Sequence, residues 1–180
     1  MILLGLSGYA RAGKDTVADI LVKEHGFQKI GFSDPLYEMA LAIDPVVDDG
    51  LPLSVLVDSL GWERAKDEYP EVRRLLQAIG TDAGRNVLGE NVWVDALLRR
   101  LEPEGRYVVR DMRFPNEFYA IEDAGGETVR IERPGYKPVN GHISETALDD
   151  FFFTYRISND GTITKLEHYC SAMVAELEHS

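Results

Sequence analysis

Two rhythms of apolar residues run through the chain: short unbroken runs, and longer stretches in which apolar positions recur at helical spacing. The run Ile2-Leu3-Leu4-Gly5-Leu6 is short, rich in strand formers, and predicts a strand. After Gly13 the pattern changes, and Val17, Ile20 and Leu21 share a helix face until Gly26 supplies a stop. Residues 27–32 predict a second strand, and Ser33-Asp34-Pro35 caps and begins a helix through Ala42. Pro45, Gly50 and Pro52 interrupt the next stretch, and helical patterns return around residues 53–60, 72–79 and 92–101. Tyr107-Val108-Val109 predicts a short buried strand ending at Asp111, followed by a helix over 116–124, a strand over 128–131 and an irregular loop over 133–141. Tyr155-Arg156-Ile157 is the last predicted strand, before a C-terminal helix with the stripe Leu166, Tyr169, Cys170, Met173, Val174 and Leu177. Strands alternating with helices give an α/β order: five parallel strands, crossover helices on both faces, and the strand ends along one edge. A length of 180 residues suits one domain, 1–180, and no internal repeat or low-complexity tract divides it.

Between the first strand and the first helix lies Gly8-Tyr9-Ala10-Arg11-Ala12-Gly13-Lys14-Asp15-Thr16, which has the chemistry of a phosphate-binding loop. Successive backbone N–H groups and the positive end of the helix dipole converge there on an anion, and the lysine reaches the outer phosphates of a nucleoside triphosphate. The pattern expects Ser or Thr after the lysine as a Mg²⁺ ligand, whereas here Asp15 stands in that place with Thr16 behind it. A carboxylate beside triphosphate oxygens is repelled unless a cation lies between them. Asp15 is therefore expected to face Mg²⁺, directly or through water, with Thr16 bonding an inner phosphate. The competing reading is that Asp15 points away and neutralises the helix start.

Charge narrows the ligand. The formal net charge is −12, which excludes a nucleic-acid polymer, because polymer binding rests on wide basic surfaces that release counterions. A small anion needs only a local basic pocket, and Arg11, Lys14, Arg85, Arg110, Arg113, Arg130, Arg133 and Lys137 lie in or beside the predicted loops near it. The acidic stretch 44–71 reads as a solvated flank. No apolar run approaches the roughly 18 residues that cross a bilayer, so no membrane partner is expected. Residues 1–6 are too short for a signal-peptide core, and a cytoplasmic location follows. The lone cysteine, Cys170, falls on the apolar stripe of the last helix and reads as packing.

Two further clusters carry candidate chemistry. In Arg110-Asp111-Met112-Arg113-Phe114-Pro115-Asn116-Glu117, a carboxylate ending a buried strand is placed to hold Mg²⁺ or its water shell, and Arg113 is placed to reach a phosphate at the same edge. A plain Asp111–Arg113 ion pair is the alternative. In Arg130-Ile131-Glu132-Arg133-Pro134-Gly135-Tyr136-Lys137-Pro138, a Gly/Pro-rich loop bearing Arg133 and Lys137 suits a lid that closes over phosphates, as well as an ordinary charged surface loop. His142 has no partner at metal-ligand spacing, and Ser144 reads as a helix cap.

Taken together, Gly8…Gly13-Lys14-Asp15-Thr16, Phe32-Ser33-Asp34-Pro35-Leu36, Gly80-Thr81-Asp82…Arg85, Trp93-Val94, Asp111-Met112-Arg113-Phe114-Pro115-Asn116-Glu117, His142-Ile143-Ser144-Glu145 and Asn159-Asp160-Gly161-Thr162 resemble the bacteriophage deoxynucleoside monophosphate kinases in order and spacing over nearly the whole chain. The Gly-Lys-Asp start is shared with phosphomevalonate kinases and Asn-Asp-Gly-Thr with dephospho-CoA kinases, which makes those acceptors the rival within the class. No Asn-Lys-x-Asp guanine motif supports a GTP switch, and a nucleotide-binding regulator without catalysis has no use for Asp111, Arg113 and a basic lid.

The resemblance implies a three-layer P-loop kinase fold with an acceptor-binding helical region over 34–101 and a lid-like loop over 133–147. It implies transfer of the γ-phosphoryl group of ATP to a deoxynucleoside 5′-monophosphate, giving the diphosphate and ADP for DNA precursor synthesis, by a homodimer in the host cytoplasm if phage-encoded. On this resemblance Gly8, Arg11, Ala12, Gly13, Lys14, Asp15 and Thr16 hold the ATP phosphates, and Asn159 and Gly161 border the adenine. Ser33, Asp34, Tyr37, Arg85, Trp93, Arg113, Glu117 and Lys137 face the acceptor. Asp15, Thr16 and Asp111 serve Mg²⁺, and Lys14, Asp111, Arg113 and Arg133 carry the catalysis. Tyr37 departs from the lysine that the family carries after Pro-Leu, so one acceptor-side cation is absent and the preferred base stays open. Trp93, Phe114 and Tyr37 each suit either base stacking or core packing.

Overall fold

A computed structural model describes residues 1–48, 50–136 and 146–179. The elements run β1 (Ile2–Ser7), α1 (Lys14–His25), β2 (Gln28–Ile30), α2 (Asp34–Ile43), β3 (Val46–Asp48), β4 (Leu51–Pro52), α3 (Leu53–Glu68), α4 (Pro70–Gln77), a π-helical segment (Ala78–Leu88), α5 (Val92–Leu98), β5 (Arg106–Val109), α6 (Pro115–Asp123), β6 (Glu127–Glu132), β7 (Tyr155–Ser158) and α7 (Ile163–His179). They divide into two compact units, one of Met1–Phe32 with Arg100–Ser180 and one of Ser33–Arg99.

In the first unit the short apolar runs become one five-stranded sheet of order β2-β5-β1-β6-β7. Every neighbouring pair is parallel, with Leu4 opposite Val108 and Leu6 opposite Val129. β1 is central and buried on both faces, which is why its sequence is an unbroken apolar run. Successive side chains of a strand point to opposite faces. Leu4 and Leu6 therefore join Val108, Val129 and Ile131 in a core shared with Val17 and Leu21 of α1 and Leu166, Cys170, Met173 and Val174 of α7. Each such fully buried aliphatic side chain contributes about 1.5–3 kcal/mol.

Gly5 faces the other way, toward α6, and a Cβ there would lie 2.8 Å from Met112 Sδ and 3.0 Å from Ile121 Cγ1. The helix is thus drawn close over the centre of the sheet, and the unit has three layers. Gly26, left-handed at φ 68°, closes α1, and its N–H donates to the Leu21 carbonyl. Cys170 is fully buried among these side chains, and burial pushes its thiol up to about 12.

The second unit is helical around Ala40, Leu53, Leu56, Ala65, Val72, Leu76, Ile79 and Trp93. Three details depart from the apolar pattern. The helix expected over 53–60 extends to Glu68, broken at Gly61, whose φ of 74° and ψ of 161° no helix contains. The pattern over 72–79 splits into α4, opened by Pro70, and the wider π-helical turns. Those turns carry Gly84, where a Cβ would meet Trp93 Cζ2 at 2.6 Å, so the indole presses directly on backbone. The stretch broken by Pro45, Gly50 and Pro52 holds a small antiparallel pair, β3 with β4, that the pattern did not predict.

Candidate active site

The loop leaving the central strand is held from several sides. At Gly8, with φ 149°, a Cβ would stand 2.4 Å from the Ile131 carbonyl oxygen, so the chain passes hard against β6. Arg11 adopts a left-handed φ of 64°, a conformation that costs a non-glycine residue about 1 kcal/mol. Gly13, at φ 106°, is the N-cap of α1 and no side chain caps it among the described residues. A helix N-terminus, with its backbone N–H groups and the positive end of its dipole, favours an anion. Lys14 Nζ donates to the Gly8 carbonyl at 2.6 Å and the Tyr9 carbonyl at 3.0 Å, folding the ammonium across the mouth of the loop.

Asn159, just beyond β7, reaches the same loop. Its N–H donates to the Glu132 carbonyl at 2.7 Å and its Nδ2 donates to the Ala12 carbonyl at 2.9 Å. A Cβ at position 13 would come within 2.3 Å of that Nδ2, so glycine is required by both space and φ. Gly161 lies in the turn that follows, against the Lys165 side chain.

At the end of β5, Asp111 Oδ1 accepts the Phe32 N–H at 2.8 Å, and Gly31 leaves room for the carboxylate. Arg113 follows. Its backbone N–H, with that of Phe114, donates to Glu117 Oε2 at 2.7 and 3.1 Å. Glu117 is only 4% exposed and caps α6, so it pins the backbone that carries Arg113. Lys14, Arg113 and Arg130 line one pocket with Ser7, Gly8, Met112 and Leu148.

Asp15 takes a different course. Its carboxylate is 3.4 Å from Lys29 Nζ, an ammonium that also binds Asp19 at 2.9 Å, and Thr16 is exposed. Among the described residues no group of His, Cys, Asp and Glu is large enough to hold a metal alone. Mg²⁺ is commonly bound by one or two carboxylates together with substrate phosphates and water, and the oxygen donors of Asp15, Thr16 and Asp111 fit that chemistry.

In the helical unit, Ser33 sits at the start of α2 without a side-chain cap bond, and its carbonyl accepts the Tyr37 N–H at 3.0 Å. Asp34 lies in the first turn. Tyr37 stacks on Trp62, with centroids 4.5 Å apart, and Lys66 Nζ lies 5.6 Å over its ring and 3.4 Å from its hydroxyl. A lysine is absent at position 37, yet Lys66 brings an ammonium beside it, a pairing invisible to sequence spacing. Arg85 lies on the π-helical segment. Trp93 is 6% exposed and donates from Nε1 to the Gly80 carbonyl at 2.9 Å, which places it in the packing of this unit.

In the loop after β6, Arg133 stacks over Tyr136 at 4.6 Å. Lys137, His142 and Ser144, with most of the 133–147 stretch, lie outside the described residues. Sequence reasoning counted Arg130 only as one of several cations and passed over its partners. Arg130 donates to Asp149 Oδ1 at 2.5 Å and to Ser7 Oγ at 3.2 Å, while Tyr9 donates from its hydroxyl to Asp149 Oδ2 at 2.9 Å. The one available signal was a charged residue inside an apolar strand pattern.

A central parallel strand that delivers a glycine loop and a lysine onto a helix N-terminus, with a second cation at the end of the adjacent strand, defines a P-loop kinase. Residues 61–169 match the model of the deoxynucleotide monophosphate kinase family, and the chain belongs to that family. A protein of Acanthamoeba polyphaga mimivirus, provisionally named a deoxynucleotide monophosphate kinase, is 28% identical over 168 residues, with 82% of each chain covered. The deoxynucleotide monophosphate kinase of Enterobacteria phage T4 is 34% identical over 100 residues, which are 53% of this chain and 42% of the phage protein. Among solved structures, a dephospho-CoA kinase from Campylobacter jejuni aligns over 97% of this chain and 96% of its own, at 13% identity and a TM-score of 0.48. No helix among the described residues is long and apolar enough to cross a membrane.

Proposed function

We propose that the chain transfers the γ-phosphoryl group of ATP to a deoxynucleoside 5′-monophosphate, giving the diphosphate and ADP for DNA precursor synthesis in the cytoplasm, and that it works as a homodimer. The observation that carries this is one pocket lined by two cations of different origin, Lys14 from the glycine loop and Arg113 from the end of β5. The loop amides and Lys14 receive the donor phosphates, and Arg113 receives the acceptor phosphate. Asn159 holds the loop in shape through Ala12. An acceptor phosphate is already ionised, so alignment and charge neutralisation suffice and no general base is required. Asp15, Thr16 and Asp111 would hold Mg²⁺ brought in with ATP, and the ion would supply charge neutralisation.

A coupled assay of ADP release decides the acceptor. It takes dTMP, dGMP, dCMP, dAMP, their ribo forms, phosphomevalonate and dephospho-CoA in turn. Turnover confined to one of the last two overturns the proposal.

Two residues give sharper tests. Arg113→Lys keeps the charge and loses the planar two-pronged donor, so it is expected to raise the acceptor KM far more than the ATP KM. Equal changes in both constants contradict the assignment. Asp15→Ser restores the usual hydroxyl and is expected to retain activity while requiring several-fold more free Mg²⁺ for half-maximal rate. If a Mg²⁺ titration shows the same half-saturation as wild type and only the melting temperature moves, Asp15 serves its pairing with Lys29 and not the metal.

A further inference from the structure

Tyr9 is the second residue of the phosphate loop, and its two ends do different things. Its carbonyl accepts from Lys14 Nζ at 3.0 Å and from the Ala12 N–H at 3.1 Å, so its backbone fixes both the ammonium and the turn of the loop. Its side chain is fixed in turn by groups remote in sequence. The hydroxyl donates to Asp149 Oδ2 at 2.9 Å, and the Arg130 guanidinium lies 4.9 Å over the ring. Arg130 is the anchor of the set. Its side chain is 8% exposed, bridges Asp149 and Ser7, and stacks also on Phe153 at 5.6 Å.

A buried guanidinium is costly unless its charge is met, and an unpaired carboxylate beside a polyphosphate would repel it. The Arg130–Asp149 pair resolves both problems and leaves a fixed acceptor for the Tyr9 hydroxyl. Burial first, and then the bond to Asp149, push that hydroxyl above its ordinary pKa, so it stays a donor at any physiological pH.

We propose that Arg130 and Asp149 are positioning residues for the donor-phosphate loop, acting through the Tyr9 side chain to set the Tyr9 carbonyl and, through it, the Lys14 ammonium. This rests on the reading of Gly8–Thr16 as the donor-phosphate loop. Its signature is one-sided: loosening the network disturbs donor binding and leaves the acceptor side alone.

The test uses Tyr9→Phe, which removes one hydroxyl and keeps the ring under Arg130, and Asp149→Asn, which keeps the shape and removes the charge. Steady-state constants are measured for ATP and for the best monophosphate, with thermal melts as the check on folding. Each single variant is expected to raise the ATP KM at least about threefold, with the monophosphate KM within about twofold of wild type. The double variant is expected to be no worse than the more affected single, because both changes cut the same link. Donor KM values at the wild-type level overturn the proposal, as do parallel shifts in both constants or a double variant equal to the product of the singles. Lys14→Met, assayed alongside, separates the two claims. If it too is silent, the donor-loop reading itself has failed; if it is inactive while the network variants behave as wild type, only the positioning role has failed.

Discussion

Replacing Lys14 by Met is expected to lower turnover at least about a hundredfold in a protein that still folds. The side chain is the cation of the glycine loop that can follow the transferred phosphoryl group, and removing transition-state charge stabilisation of this kind costs two to three orders of magnitude. In the structure its ammonium rests on the Gly8 and Tyr9 carbonyls. The variant loses those bonds as well, at about 0.5–1.5 kcal/mol each, which moves the melting temperature by a few degrees. Turnover within about threefold of wild type in a correctly folded variant eliminates the phosphate-loop assignment.

Gly8→Ala is expected to have a comparable effect on rate and a larger one on stability. The added Cβ would begin 2.4 Å from the Ile131 carbonyl oxygen, a distance that real Cβ atoms open to at least 3.0 Å, and the obstacle is backbone of a paired strand and not a side chain that can rotate away. The loop must therefore move off β6, carrying the Gly8 carbonyl that receives Lys14. A displacement approaching 1 Å at a catalytic constellation costs about a hundredfold in rate, and the positive φ adds about 1 kcal/mol or more of strain. Steady-state kinetics with a thermal melt check both parts. Wild-type constants at an unchanged melting temperature would show that the close approach to β6 does not hold the loop.

The first unit was legible in the sequence because its elements obey local rules. β1 is apolar on both faces, α1 keeps its buried face until Gly26, and the glycine loop between them is fixed by positions 8 and 13, whose backbone geometry favours glycine. The second unit was legible only in outline. The kink at Gly61 rests on the positive φ of a single exposed glycine, the π-helical turns carry Gly84 against the Trp93 indole, and β3 with β4 is a pair too short to leave an alternation. For the candidate site, spacing in sequence singled out Lys14, Asp111 and Arg113. It did not foresee that Glu117 would cap α6, that Asp15 would meet Lys29, or that Asp149 would meet Tyr9 from 140 residues away. Such partners are set by which strand lies beside which.

The burial of Cys170 has a practical consequence for studying motion. Burial raises its thiol to about 12, so the thiolate that alkylating dyes attack is scarce near neutral pH. The side chain is also sealed on the inward face of α7, in the core against the sheet and α1. The folded chain is therefore expected to react with maleimide and iodoacetamide dyes far more slowly than the unfolded chain, which a thiol titration with and without denaturant checks. A cysteine placed at a position as open as Phe152, which is 92% exposed, would take a single fluorophore without prior removal of the native thiol.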